Sequence, residues 1–175
     1  LGDVYKRQRN QFGWHFVARA EPSAAHTALA TLETAGAVDG IITQNIDRLH
    51  QKAGSVAVVD LHGTYAWVVC TSCRSRFPRE EVSRYLDELN PGFYDGMDSA
   101  ADVEYAPDAD ATVEHTAGCR VGDCPVCQGV LKPDVVFFGE NATALNVALA
   151  RRMVTHADAL LVAGSSLTVN SGRRY

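Results

Sequence analysis

The sequence predicts an α/β fold built on a parallel sheet, with a cysteine-rich module between its parts. Three observations predict it. Two short apolar runs, Gly40-Ile41-Ile42 and Val56 to Leu61, have the length and β-branching of buried strands, and each ends in polar residues. Asp134 to Phe138, Thr143 to His156 and Ala159 to Gly164 read as strand, helix and strand, an order that implies a parallel pair with a right-handed crossover. Two Cys-x-x-Cys pairs, Cys70/Cys73 and Cys124/Cys127, stand between these two regions.

The remaining elements follow in chain order. Asn10 to Ala20, with Phe12, Trp14 and Phe16, reads as a helix or loop packed on the core. Glu21-Pro22-Ser23 opens a helix, with Pro22 or Ser23 at its entry. Ala25, Ala28, Leu29 and Leu32 fall on one face of it, and Gly36 is placed to end it at C′. His26 lies in this helix and reads as a packed, hydrogen-bonded residue. Tyr65 to Cys70 leads away from the sheet into the first cysteine pair, and Pro78 to Leu89 is a short helix. Asn90 to Thr116 has little periodicity; from Glu80 to Glu114 there are 11 acidic residues against one basic residue, Arg84, which reads as a solvated insertion. In the helix Thr143 to His156, Leu145, Leu149 and Met153 share a face.

Composition narrows the function classes. The chain has 175 residues, 46% hydrophobic and 21% charged, enough for one domain with a substantial core. No apolar run approaches the roughly 18 residues of a membrane helix. A net charge of -5 argues against direct nucleic-acid binding. No secretory signal is evident, so a cytoplasmic location is the default. Cysteine pairs in that compartment favour metal over disulfides.

Polar residues collect at the predicted strand ends. Gln44, Asn45 and Asp47 follow the first strand, and His62-Gly63 follows the second. In an open α/β sheet, ligands bind at the carboxyl ends of strands. An amide pair, a carboxylate and an imidazole there suit a sugar-bearing ligand and a general base. Gly164-Ser165-Ser166, after the last predicted strand, offers amides and hydroxyls to a ribose or phosphate, though a plain turn has the same composition.

The two cysteine pairs are separated by 50 residues. Two turns carrying two thiolates each make a tetrahedral site, which suits zinc, and four thiolates leave no open position for water. The metal is therefore structural. By spacing, Cys119 can stand in for Cys124.

The segment Ile42 to Gly54, the Leu61-His62-Gly63 that follows, Lys132 to Glu140 and Gly164 to Val169 together resemble the sirtuins, the NAD-dependent protein-lysine deacylases. The resemblance runs in order from about Gly13 to the end of the chain, and Ser171-Gly172 is similar to the class II branch. It implies a Rossmann-like parallel sheet with an inserted zinc ribbon. It implies the divisions 9–66 and 132–175 for the Rossmann-like parts and 67–131 for the zinc module. It selects Cys70, Cys73, Cys124 and Cys127 as zinc ligands and leaves Cys119 a free thiol.

The same resemblance implies the site roles. Gln44, Asn45, Ile46 and Asp47 line a nicotinamide and ribose pocket, with Asn45 and Asp47 acting in the chemistry. His62 is the general base. Gly164, Ser165 and Ser166 form an NAD-binding turn. Val136, Phe137, Phe138, Gly139, Glu140 and Val169 clamp an acylated-lysine peptide as an added strand. The implied products are lysine, nicotinamide and O-acyl-ADP-ribose. An NAD-dependent mono-ADP-ribosyltransferase uses the same pocket, and a non-catalytic zinc-ribbon module is the alternative from another class.

The resemblance also bears on the ends. Asp3 to Gln8 resembles the translation of a library adapter, so 1–8 are expected to be non-native. Nothing matches the sirtuin Gly-Ala-Gly-x-Ser loop that holds the NAD diphosphate, and the fold is expected to be incomplete at both ends. Weak NAD binding by the 175-residue chain is the corresponding expectation.

Overall fold

The computed structural model describes residues 2–93, 120–137, 139–168 and 172, without the side chains of 2–9 and 12. The acidic stretch from residue 94 onward, Cys119, Phe138 and Val169 lie outside the described residues. The chain divides into two compact units: Leu1–Ala20 with Tyr65–Asp134, and Glu21–Thr64 with Val135–Tyr175.

The second unit carries the parallel pair. Strands β1 (Ile41–Thr43) and β2 (Val58–Asp60) run parallel with Ile41 opposite Val58, Ile42 opposite Val59 and Thr43 opposite Asp60. Between them lies the single-turn helix α3 (Leu49–Lys52). Helix α2 (Ala24–Thr34) precedes β1 and packs on α3. Ser23 is its N-cap, and His26 at N3 completes a capping box. Gly36, at φ +72°, ends it: Gly36 N–H donates to Glu33 C=O and Ala37 N–H to Leu32 C=O, the Schellman pattern. Helix α5 (Ala144–His156) is capped by the Thr143 hydroxyl, which accepts from Asn146 N at 3.2 Å. It packs on β2, and Ala150 is fully buried with Val59 and Leu61, backed by Ile42, Ala142 and Met153.

The first unit is a three-stranded sheet in the order β4-β3-β5, made by β3 (Gly63–Cys70), β4 (Arg76–Pro78) and β5 (Leu131–Val135). Helix α4 (Arg79–Leu89) starts from Pro78, with Glu80 and Glu81 at the positive end of its dipole. Val68, Cys70, Val82, Cys124 and Leu131 form the core, with Phe77 and Leu86 against it. Helix α1 (Gly2–Arg19) belongs to this unit. A buried polar network ties it in: Arg79 Nη1 donates to Asn10 Oδ1 at 2.9 Å, Arg79 Nη2 to Gln11 Oε1 at 2.9 Å, and Gln11 Nε2 to Ser83 Oγ at 2.6 Å.

Four expectations need correction. The strand expected over Asp134 to Phe138 lies three residues earlier, at Leu131–Val135, because that segment completes the cysteine-module sheet. No strand forms over Ala159 to Gly164: it has no ladder partner among the described residues, and Leu160, Leu161 and Val162 are exposed. The parallel pair is therefore β1–β2, and the expected strand–helix–strand crossover is not formed. The buried faces of two helices are also rotated. In α2 the covered residues are His26, Leu29, Ala30 and Glu33, with the His26 ring against His50 of α3 and Glu33 bonded to the Ala57 amide; Ala25, Ala28 and Leu32 are exposed. In α5 the small Ala150 meets β2, with Asn146, Val147 and Met153 beside it, while Leu145 and Leu149 face outward. Close approach favours the small residue over the larger ones.

Gly40 enters β1 where a Cβ would lie 2.7 Å from the Ala57 carbonyl oxygen and 2.3 Å from Met153 Cε. A backbone oxygen cannot yield as a side chain does. Gly40→Ala should therefore destabilise the protein by about 1–3 kcal/mol, read as a lower urea midpoint at unchanged slope. A midpoint equal to that of the parent would show that the loop at Ala57 relaxes freely.

Candidate functional site

The strand-end site is set by the ladder. Leu61 N–H donates to Thr43 C=O at 2.9 Å, continuing the β1–β2 register past the last paired residues. Gln44 and Asn45 leave β1 at the same level as Leu61 and His62 leave β2. The sequence-predicted set thus converges at one end of a parallel pair, as that topology requires of ligand-binding positions.

Hydrogen bonds hold the segment that follows β1. Asn45 N–H donates to Thr43 Oγ1 at 3.0 Å, and Asn45 itself is exposed. Ile46 is buried and anchors the loop. Asp47 Oδ1 accepts from Leu49 N at 2.9 Å, so the carboxylate serves the start of α3. Arg48 between them sits at φ +62°, a left-handed conformation that costs a non-glycine residue energy and is found preferentially at functional sites. Gln44 Nε2 donates to Ser165 Oγ at 3.2 Å, and that oxygen also accepts from Leu167 N at 3.2 Å. The Gly164-Ser165-Ser166 turn, with Gly164 at φ +65°, is thereby joined to the Gln44 segment.

His62 is half-buried, and this burial holds its imidazole below the ordinary value, with the Gln44 backbone carbonyl as a partly offsetting hydrogen-bond acceptor. A ring nitrogen that donates to a carbonyl leaves the lone pair on the other nitrogen. His62 is thus biased toward the neutral form that accepts a proton. Val136 N–H donates to His62 C=O at 2.8 Å, which sets the next segment alongside. That segment turns at Gly139 (φ +91°), with Glu140 N–H bonded to Phe137 C=O at 2.9 Å and Glu140 Oε2 accepting from Phe137 N at 3.0 Å.

Sequence reasoning missed a second tier of residues in this unit. Gln51 Nε2 donates to both Asp60 carboxylate oxygens at 3.0 Å, and Asn146 Nδ2 donates to Asp60 C=O at 2.8 Å. Glu33 accepts from Ala57 N at 2.6 Å and Val56 N at 3.1 Å; the Ala57 amide foremost holds its carboxyl below the usual range. His26, expected to be packed and hydrogen-bonded, accepts from Ser23 and stands 4.6 Å, ring to ring, from His50. The Gln51–Asp60, Asn146–Asp60 and Glu33–Ala57 pairs join residues whose contact depends on tertiary packing, and no local pattern signals them.

The metal centre lies in the other unit. Cys70, Cys73, Cys124 and Cys127 bring their sulfurs within 4.8 Å of one another. Cys70 Sγ is 3.5 Å from Cys127 Sγ, and Cys73 Sγ is 3.7 Å from Cys124 Sγ. Zinc–sulfur bonds of about 2.3 Å in a tetrahedron place sulfurs about 3.8 Å apart, so the donor set fits a zinc ion.

The two turns share one geometry. Arg74 N–H donates to Cys70 C=O and Cys70 N–H to Ser75 C=O; Gln128 N–H donates to Cys124 C=O and Cys124 N–H to Gly129 C=O. Arg74 and Gln128 occupy equivalent left-handed positions, at φ +63° and +61°. Gly129 admits the opposite turn: a Cβ there would lie 2.6 Å from Ser72 Oγ and 3.0 Å from Cys70 Sγ. Ser75, hydrogen-bonded to Cys73, draws that thiol down to about 6. Gly129 N–H pulls on Cys127, but crowding by the Cys73 and Cys70 thiols pushes it up to about 12. Four thiols this close titrate against one another, and a divalent cation removes that conflict.

The same fold recurs among proteins of known structure. A Sir2 structure with a p53 peptide and NAD+ superposes with a TM-score of 0.66 at 32% identity, over 90% of this chain and 53% of that one. A Sir2 protein bound to a propionylated peptide superposes at 0.65 and 32% identity, over 90% and 54%. The architecture is therefore that of the sirtuins: an α/β unit with a strand-end polar site and a four-cysteine centre.

The chain belongs to the Sir2 family, whose pattern matches residues 4–171. Among its relatives, NAD-dependent protein deacetylase 1 of Mycobacterium avium (strain 104) is 49% identical over 178 residues, 99% of this chain and 63% of that protein. The protein of the same name from Streptomyces coelicolor is 49% identical over 167 residues, 95% and 55%. The chain thus spans between half and two thirds of the length of these relatives.

The metal assignment yields a direct expectation. The purified protein should carry about one zinc ion per chain, and Cys124→Ser should abolish it and destabilise the cysteine unit, while Cys119→Ser retains it. Elemental analysis with thermal unfolding reads both. Full zinc in the Cys124 variant, with loss in the Cys119 variant, would reassign the fourth ligand.

Proposed function

We propose that this chain provides the strand-end site and the zinc module of an NAD-dependent protein-lysine deacetylase. The observation that carries the reading is His62, half-buried and biased toward neutrality, at the strand end it shares with Gln44 and Asn45. The names of the relatives from Mycobacterium avium and Streptomyces coelicolor support it. So do the solved relatives, one with a p53 peptide and NAD+ and one with a propionylated peptide. In this reading NAD is consumed as a substrate and zinc is structural.

The roles of the residues are those that the resemblance to the sirtuins implies. Asn45 holds the ribose and an ordered water, Asp47 lies by the nicotinamide amide, Gln44 lines the same pocket, and Gly164, Ser165 and Ser166 form an NAD-binding turn. The acyl-lysine oxygen displaces nicotinamide at the ribose. His62 then takes a proton from a ribose hydroxyl, which attacks the acyl carbon, and water completes the transfer. Val136, Phe137, Gly139 and Glu140 line the added peptide strand, together with Phe138 and Val169. The acyl group moves from lysine to ADP-ribose, so the enzyme is a transferase in class. A Rossmann-like body over 9–66 and 132–175 with a zinc module over 67–131 is the domain organisation of this reading, with α1 packed on the cysteine unit. A cytoplasmic location accords with its cysteines serving a metal.

Two experiments test it, made on the chain extended to the length of its relatives, since weak NAD binding is the expectation for the 175 residues alone. General base catalysis contributes about 10²–10⁴-fold, so His62→Ala should lower deacetylation by that much with zinc and folding retained. Nicotinamide exchange, which precedes the base step, should persist in that variant and fail in Asp47→Asn. Undiminished deacetylation by His62→Ala would defeat the assignment. The pH profile is the second test. Because the folded imidazole lies below its ordinary value of 6.5, the basic form is kept down through that pH, and the acid limb of kcat/KM should fall below 6.5. A limb above it would contradict the assigned environment of His62.

A further inference from the structure

We propose that Gln51 and Asp60 form a positioning clasp for His62, a role that rests on the deacetylase reading. Strand β2 has three residues and pairs with β1 alone among the described residues. A slip of one residue in this short ladder would turn His62 to the opposite face. Asp60 is the last residue of β2, opposite Thr43 and two positions before His62. Alternate residues of a strand share a face, so whatever fixes Asp60 also sets the side on which His62 emerges.

Asp60 is held at both its side chain and its backbone. The Gln51 amide donates to Oδ1 and Oδ2 at 3.0 Å each, from α3. The Asn146 amide donates to the backbone carbonyl at 2.8 Å, from α5. A carboxylate only accepts, and Nε2 is the only donor of a glutamine side chain, so the chemistry itself fixes the amide orientation. The consequence is that Gln51 Oε1 is buried with no hydrogen-bond partner among the described residues. Buried polar atoms are rarely left so. Burial pushes the Asp60 carboxyl up, and the Gln51 amide pulls it back toward the charged form.

The test exchanges the two groups. Gln51→Glu sets two carboxylates against each other at the fork. Asp60→Asn keeps an amide-to-amide bond. The double variant Gln51→Glu/Asp60→Asn restores the fork in reverse. If the clasp acts through His62, Gln51→Glu should lower kcat for deacetylation by up to about 10²-fold with little change in KM for the acetylated peptide. Nicotinamide exchange should stay near the parent rate, and Asp60→Asn should have the smaller effect. The double variant should recover kcat to within about threefold, the sign of a direct pairwise coupling. Parent kcat in Gln51→Glu, exchange lost in step with deacetylation, or no recovery in the double variant would each overturn the proposal.

If the parent protein itself lacks NAD-dependent deacetylation, the reading beneath falls separately. The clasp is then judged by hydrogen exchange of the Leu61 amide, which bonds Thr43 C=O. Faster exchange in Gln51→Glu, restored in the double variant, supports the clasp. Exchange that does not change overturns it.

Discussion

The hydrogen bond from Leu61 N–H to Thr43 C=O is the constraint on which the strand-end site depends. It continues a parallel register only three pairs long. That register makes β1 and β2 end together, and the residues just past two strand ends become neighbours without long-range design. Gln44 and Asn45 come from one end and His62 from the other. Everything else in the unit supports this alignment. Ala150 lets α5 lie close on Val59 and Leu61, and Gly40 lets β1 pass beneath Ala57 and Met153. The Schellman end of α2 and the Glu33 carboxylate fix the approach to the strands at either side.

The other unit depends on a different bond. Cys70 and Cys124 are fully buried and sit in the same cluster as Val68, Val82 and Leu131. The metal site and the hydrophobic core are therefore one object, and ligand loss and core loss are the same event. The near-identical backbone of the two cysteine turns explains why their spacing is equal. Each turn needs a residue that tolerates the left-handed region, and Arg74 and Gln128 supply it. The buried Arg79, Asn10 and Gln11 network then joins two helices by charge-assisted hydrogen bonds.

The site was legible where it obeys short-range rules. Ile41 and Ile42 announce a strand by branching, and a strand's carboxyl end announces a ligand position, so Gln44, Asn45 and His62 could be named from order alone. Cysteine spacing carried its own chemistry. Gly36 stood where a left-handed C′ residue was needed. What escaped was set by packing. Leu145 and Leu149 outscore Ala150 in hydrophobicity, yet the small residue is buried because the helix must approach the sheet closely. The apolar run at Leu160, Leu161 and Val162 suggested a strand, but pairing is a property of two segments. Gln51 with Asp60 shows the same limit, since neither residue carries any local sign of the other.

The most direct measurement is product analysis. The chain, extended to the length of its relatives, would be incubated with NAD and an acetyl-lysine peptide, and the products separated and weighed by mass spectrometry. A deacetylase with His62 as base yields deacetylated peptide, nicotinamide and O-acetyl-ADP-ribose in equal amounts. Free acetate with intact NAD, or ADP-ribose attached to protein with the peptide still acetylated, would contradict the reading.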